Sequence, residues 1–331
     1  MQLVRQNEKS ASKGTRRRPG TRKGPGTSTG ARLLSRLIAA LLAASALATG
    51  CAAGTPERTP AKPAPGQQAH KGLQAAPARA LDSYATKLRA QRAALVAATK
   101  RWGLADVPLT APRPPAKKPV IEARRGFEVD GQKELGLPPV FTTIPTTDKV
   151  VFLTIDDGAE KDPRFLKMMS ELRIPYTAFL TDAEVRPQYG YFKKMQARGV
   201  TLNNHTLHHP FLPALSYARQ KHEICGMQDV IEKKYGKRPT LFRPPFGDYN
   251  QDTLRAAKAC GIEYAPIWNA EAFVDRMDYR EWDRSIHPGD ILLTHFRGRK
   301  DWKGTMPDMI RHLMKYLTDR GYAVARLEDY L

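Results

Sequence analysis

Four short segments of this 331-residue chain carry side chains suited to acid–base or metal chemistry. Asp156-Asp157-Gly158 sets two carboxylates side by side, and adjacent acids repel unless a cation or an arginine stands near them. Alone, the triplet reads better as an ordinary turn. His205-Thr206-Leu207-His208-His209 spaces two imidazoles four residues apart, which on a helical turn brings both rings to one side, and neutral imidazole is the commonest metal ligand. A histidine pair seen alone is more often structural or exposed, and His208, between the two, is expected to point elsewhere. Together with Asp157, His205 and His209 make a three-ligand set with positions open for water and substrate, the pattern of a catalytic rather than a structural zinc. Asp156 is then free to act as a base and His295 to supply an acid. In Arg243-Pro244-Pro245-Phe246-Gly247, the prolines stiffen a loop whose arginine could hold Asp156 ionised; the alternative is a proline-rich turn with a surface arginine.

These groups lie far apart in sequence, so a fold must gather them. Val150 to Thr154 reads as a buried strand, and Asp162-Pro163 opens a helix with a cap and a first-turn proline. Further strands are expected at 176–180, 200–203, 240–242, 262–267, 290–293 and 322–325. Helices are expected between them at 187–198, from the Ser216 cap to Gly236, from the Asn250 cap to Cys260, and at 305–320. Strands separated by single helices imply parallel pairing with helices outside, an α/β sheet or barrel whose chemistry collects at the carboxyl ends of the strands. Asp156, Asp157, His205, Arg243, Trp268 and His295 all follow such ends.

Thr154-Ile155-Asp156-Asp157-Gly158, His205 to His209, Arg243-Pro244-Pro245-Phe246 and Leu293-Thr294-His295 stand in an order and spacing that resembles the polysaccharide deacetylases, carbohydrate esterase family four with its NodB-homology domain. The resemblance covers about Lys149 to Leu331. It implies a distorted (β/α) barrel and metal-dependent hydrolysis of acetyl groups from sugar units. It also implies Asp156 as general base, Asp157, His205 and His209 as metal ligands, and His295 as general acid. Arg243 then tunes the base, the Phe246 N–H helps form an oxyanion hole, and Pro245 and Trp268 line the substrate site. The cofactor implied is a divalent ion, Zn2+ first, with Co2+, Ni2+ or Mn2+ as alternatives.

Two departures qualify the resemblance. The family pattern Trp-x-x-Asp-x-x-Asp, whose last acid orients the catalytic histidine, reads here as Trp268, Glu271 and Val274, with Asp275 one residue late. Asp275 is expected to serve His295 through a one-residue bulge; otherwise a carbohydrate-binding pseudoenzyme of the same fold is the alternative. Phe296 follows the histidine where an acid is common, and Ile155 stands for the usual Phe, but neither position supplies a reacting group. Cys225 and Cys260 form either a disulfide or two buried thiols, since sequence gives no distance between them.

Charge separates the chain into parts. The 54 Lys+Arg and 33 Asp+Glu give +21, which on its face suggests nucleic acid, yet residues 1–148 hold 25 basic and 9 acidic groups, leaving only +5 for the rest. A basic leader, the apolar run Leu37 to Ala48 and small residues before Cys51 resemble a secretory signal whose cysteine becomes lipidated. The expected organisation is a signal peptide at 1–50, a Pro-rich tether with one short helix at 51–119, and a catalytic domain at 120–331. The protein is expected to be exported, either as a membrane lipoprotein facing outward or as a secreted monomer. Its expected partner is an acetylated polysaccharide, peptidoglycan or chitin-like, and not nucleic acid.

Overall fold

The computed structural model describes residues 75–331. At its centre runs β2 (Val150–Asp157), a strand whose eight residues are all buried. A strand shielded on both faces needs a layer on each, the condition met by parallel strands with helices outside. Alternation sorts its side chains: Val151, Leu153 and Ile155 pack toward the helices, whereas Val150 and Phe152 join Phe179, Leu241, Ile291 and Tyr330 in the barrel interior. Ile155 therefore fills a helix-facing position, away from the interior.

In parallel with β2 run β3 (Thr177–Leu180), β8 (Ile291–His295) and, along its first residues, β9 (Ala323–Ala325). Beyond β3 lies β4 (Thr201–Asn204), and beyond β8 come β6 (Ala270–Ala272) and the antiparallel β7 (Met277–Tyr279). A separate pair, β1 (Val140–Phe141) with β5 (Ala265–Pro266), continues the wall through the single bridges Asn204 to Phe242 and Leu241 to Tyr264. The result is the distorted (β/α) barrel that the family resemblance implies, one of the two forms left open by the strand and helix alternation. The strand expected at 240–242 is reduced to those two bridges, and the one at 262–267 to two residues. The β6–β7 hairpin has no counterpart in the sequence reading.

Helices α2 (Pro163–Leu172), α5 (Tyr217–Tyr235), α6 (Gln251–Ala259) and α7 (Met306–Asp319) fall where the caps placed them. The Asp162 carboxylate accepts from the Arg164 N–H, and Asn250 with Thr253 and Thr305 with Asp308 close reciprocal capping boxes. Ser216 stands at the cap position of α5 without a side-chain hydrogen bond, and Gly236 ends that helix in the left-handed conformation. The short α3 (Asp182–Val185) and α4 (Tyr189–Gln196) complete the outer layer. At the end of β2, Gly158 has φ 103, and a Cβ there would lie 2.5 Å from Val185 Cγ1, so only glycine lets the chain turn between them.

The helix expected at 81–102 is neither short nor part of a tether. It is α1 (Ala75–Trp102), 28 residues long, because the Ala-rich run keeps helix-favouring residues well before Leu81. Leu81, Tyr84 and Leu88 are exposed, but Ala98 and Trp102 enter the core. The Trp102 indole donates to Glu171 at 2.7 Å, and Arg311 donates to the Trp102 carbonyl at 3.1 Å. Ala111 and Ile121 also pack against the barrel cluster, so the folded unit begins well before residue 120. The leader, the apolar run and Cys51 lie outside the described residues. No helix among the described residues is long and apolar enough to cross a membrane.

Cys225 on α5 and Cys260 at the end of α6 form a disulfide across 35 residues of sequence. Closing a loop of that length removes unfolded-state entropy worth about 2–4 kcal/mol. Reduction, or the double change Cys225→Ser with Cys260→Ser, should lower the denaturant midpoint accordingly; an unmoved midpoint would contradict a stabilising link.

Candidate active site

Strand register brings the sequence-predicted groups together. Asp156 lies level with His295 on β8 and with Phe179 on β3, while Asp157 lies level with Leu180, itself level with Asn204, so His205 follows one residue above. Parity then sets direction. Residues 150, 152, 154 and 156 of β2 share one face, and residues 291, 293 and 295 of β8 share the corresponding one. Asp156 and His295 thus enter the barrel mouth side by side.

Arg243 is fully buried, an arrangement that requires every donor to find an acceptor. Its Nη1 donates to Asp156 Oδ1 and to Thr154 Oγ1, both at 2.8 Å, and its Nε donates to the Pro266 carbonyl at 2.9 Å. The guanidinium lies 4.3 Å from the centre of the Phe179 ring. Burial nonetheless dominates at Asp156, pushing its carboxyl up to about 6 against the opposing pull of Arg243 and His295.

The carbonyl of Arg243 accepts from His205 Nδ1 at 2.7 Å, so Nε2 carries the free lone pair. Burial pushes His205 down to about 3 and also lowers His209, which keeps both rings neutral. The two histidines do not sit on a helical turn. Thr206 and His209 adopt positive φ, 73° and 56°, and the loop is pinned by Asn204 to the Thr206 N–H, by the Thr206 hydroxyl to the His209 N–H and by the Glu223 carbonyl to the Leu207 N–H. This tight loop still brings the ring centres to 4.9 Å. His208 turns outward to Glu223, away from the pair.

Asp157 completes the cluster. Its Oδ1 lies 3.6 Å from His205 Nε2 and 3.5 Å from His209 Nε2, and it is buried without a hydrogen-bond partner among the described residues. The three ligand atoms lie within 4.8 Å of one another, and Asp157 Oδ1 stands from each nitrogen near the roughly 3.3 Å expected of ligands with bonds of about 2.0–2.1 Å around a tetrahedral ion, a set that fits a divalent cation. Burial would raise the Asp157 carboxyl, but the positive charges of His295 and Arg297 beside it hold the group below its usual range. The sequence reading missed Arg297, whose Nη2 donates to Asp157 Oδ2 at 2.8 Å; its place two residues after His295 was the available signal.

At His295 the structure corrects the sequence reading. Asp275 does not reach this ring: it is exposed in the β6–β7 turn, 3.6 Å from Arg276. Glu271 takes the place instead, with Oε1 3.2 Å from His295 Nδ1. Register explains the exchange, because Glu271 lies level with Leu293 and therefore shares the interior face with His295, whereas Asp275 comes after β6 has ended. Burial would lower His295, but the Glu271 hydrogen bond and the Asp157 charge raise it. Phe296 packs edge-on against Phe165 and Phe192, which accounts for an apolar residue after the histidine.

Pro245 is buried and leads into Phe246, which has φ 63, is 52% exposed and sets its ring 4.6 Å from His209. Trp268 forms the adjoining wall, 5.7 Å from the Arg243 guanidinium. Of the six non-glycine residues with positive φ among the described residues, Asp157, Thr206, His209 and Phe246 surround this one mouth. Such strain persists only where surrounding contacts impose it, and it concentrates at functional sites.

A sequence profile described as polysaccharide deacetylase matches residues 143–265. An uncharacterised protein of Streptomyces coelicolor is 40% identical over 203 residues, covering 61% of this chain and 81% of that protein. The chain belongs to the polysaccharide deacetylases. The peptidoglycan-N-acetylmuramic acid deacetylase PdaA of Bacillus subtilis is 29% identical, covering 56% of this chain and 73% of its own length. A family 4 carbohydrate esterase structure from Bacillus anthracis superposes with a TM-score of 0.50 at 25% identity, over 67% of this chain and 98% of that one. As a polysaccharide deacetylase the protein is a hydrolase of carbon–nitrogen bonds outside peptides. The matched profile ends before Glu271 and His295, so that half of the cleft rests on the geometry given above.

Two measurements examine this arrangement. His205→Ala and Asp157→Asn should each weaken divalent-ion binding by at least about tenfold in calorimetric titration, since each removes a ligand; full affinity in both would rule out this set. Glu271→Gln should lower the His295 titration midpoint seen by NMR, while Asp275→Asn should not move it; the reverse would restore Asp275 as the partner.

Proposed function

We propose that this protein removes the N-acetyl group from N-acetylhexosamine units of an extracellular or cell-wall polysaccharide, peptidoglycan or a chitin-like polymer. The observation that carries the reading is the orphaned Asp157 Oδ1 facing two neutral histidines, beside an acid and an imidazole set level on neighbouring strands. Asp157, His205 and His209 hold a divalent ion, with Zn2+ the best match to one carboxylate and two imidazoles. When bound, such an ion acidifies water and polarises a carbonyl oxygen.

The remaining chemistry belongs to the chain. Asp156, its Oδ1 held by Arg243, uses Oδ2 to accept the proton of the attacking water. The Phe246 N–H donates to the oxygen on which negative charge develops. His295, held through Nδ1 by Glu271, delivers a proton from Nε2 to the departing nitrogen. Substrate lies across the mouth against Phe246 and Trp268, beside Pro245. With Glu271 at His295, the altered acid motif no longer favours a pseudoenzyme.

Relatives named as peptidoglycan deacetylases and a chitooligosaccharide deacetylase of Sinorhizobium fredii support the substrate class. The basic leader, the apolar run and Cys51 support export, with residues 1–50 as signal peptide and a lipid on Cys51 tethering the enzyme to the outer face of the membrane. Asp156→Asn should reduce acetate release from chitooligosaccharide or peptidoglycan by about 10²–10⁴-fold, with the fold intact by circular dichroism. Wild-type turnover in that variant would remove Asp156 as the base. Chelation should abolish release and added Zn2+ restore it; turnover indifferent to chelation would remove the ion from the reaction.

A further inference from the structure

The arginines around the mouth are not equivalent. Arg243 is committed to Asp156, Arg297 to Asp157 and Arg124 to Glu281. Arg280 is exposed and forms no side-chain hydrogen bond or ion pair among the described residues. Arg124 and Arg243 repel it, Asp248 and Glu271 attract it, and Glu271 is already engaged with His295.

The guanidinium is held in place all the same. It lies 4.5 Å from the centre of the Trp268 ring and 5.9 Å from that of Phe127. A Cβ at Gly247 would stand 3.0 Å from Trp268 Cη2 and 3.2 Å from Arg280 Nη2. That glycine, with φ 72, leaves the space in which the arginine spreads over the indole. Gly247 adjoins Phe246, whose ring touches His209, so this cation borders the substrate wall of the cleft. An aromatic platform beneath a guanidinium with free donors is an arrangement that receives a planar carboxylate in bidentate fashion.

We propose that Arg280 is a specificity-determining residue that binds a carboxylate on the glycan, so that the preferred substrate is an acidic chain in which the acetylated unit carries or adjoins a carboxyl group. The lactyl ether of N-acetylmuramic acid and a uronic acid both offer that chemistry. The proposal rests on the deacetylase reading for its reaction but not for its binding test.

Calorimetry on the purified protein with three probes decides it: a peptide-free tetrasaccharide of alternating N-acetylglucosamine and N-acetylmuramic acid, its methyl ester, and a tetrasaccharide of alternating N-acetylglucosamine and glucuronic acid. Wild type should bind at least one acidic chain about tenfold more tightly than the neutral ester, as a charge-assisted bidentate contact provides. The chain so favoured identifies the carboxylate source. Arg280→Met should bring the acid-to-ester ratio to about one, and Arg280→Lys should retain part of it because a point charge replaces the fork. Equal affinities in wild type would mean that Asp248 satisfies the arginine in solution, and would overturn the proposal. So would a preference that survives Arg280→Met. Acid-selective binding without acetate release from any chain would instead sink the deacetylase reading and leave Arg280 in its role.

Discussion

A buried guanidinium governs this site. Arg243 has no access to solvent, so its position is set by acceptors that cannot be exchanged for water: Asp156, Thr154 and the Pro266 carbonyl. Its backbone carbonyl in turn fixes the tautomer of His205. One residue therefore couples the proposed base to a proposed metal ligand, by side chain and main chain respectively. Removing the guanidinium would leave a buried carboxylate uncompensated, a far larger cost than losing a surface ion pair.

Around that residue the barrel works as a sorting device. Parallel register decides which side chains share a level, and alternation decides which of them face inward. Apolar residues occupy the lower interior at Val150, Phe152 and Ile291, and polar ones occupy its upper end at Thr154, Asp156, Glu271 and His295. Around the mouth, backbone strain gathers where the strands give way to loops, at Asp157, Thr206, His209 and Phe246. At Thr206 and His209 local hydrogen bonds from Asn204 and the Thr206 hydroxyl hold those conformations.

Much of this was readable in the sequence, for reasons particular residues make plain. Asp162-Pro163, Asn250 and Thr305 announce helix starts through local hydrogen bonding, which depends on nearby residues only. The Asp156, His205, Arg243 and His295 segments could be grouped because chemistry collects at strand ends. What escaped depends on register or on distance across the fold. Glu271 could be preferred to Asp275 only by knowing that β6 ends at Ala272 and lies level with Leu293. Arg297 reaches Asp157 from a loop whose direction no period encodes. The His205–His209 turn was read as helical because four-residue spacing also suits a loop with two left-handed residues. Nor could the length of α1 be judged from its apolar residues, since most of it is held by alanine propensity rather than by burial.

That last helix has a mechanical side. At about 1.5 Å per residue, α1 is a rod roughly 40 Å long, joined to the globular unit by its final turns through Ala98, Trp102, Glu171 and Arg311. A load applied at its far end is delivered as torque to α2 and α7 on the outer layer. The strands bearing Asp156 and His295 stand one layer further in, behind the helices that α1 touches.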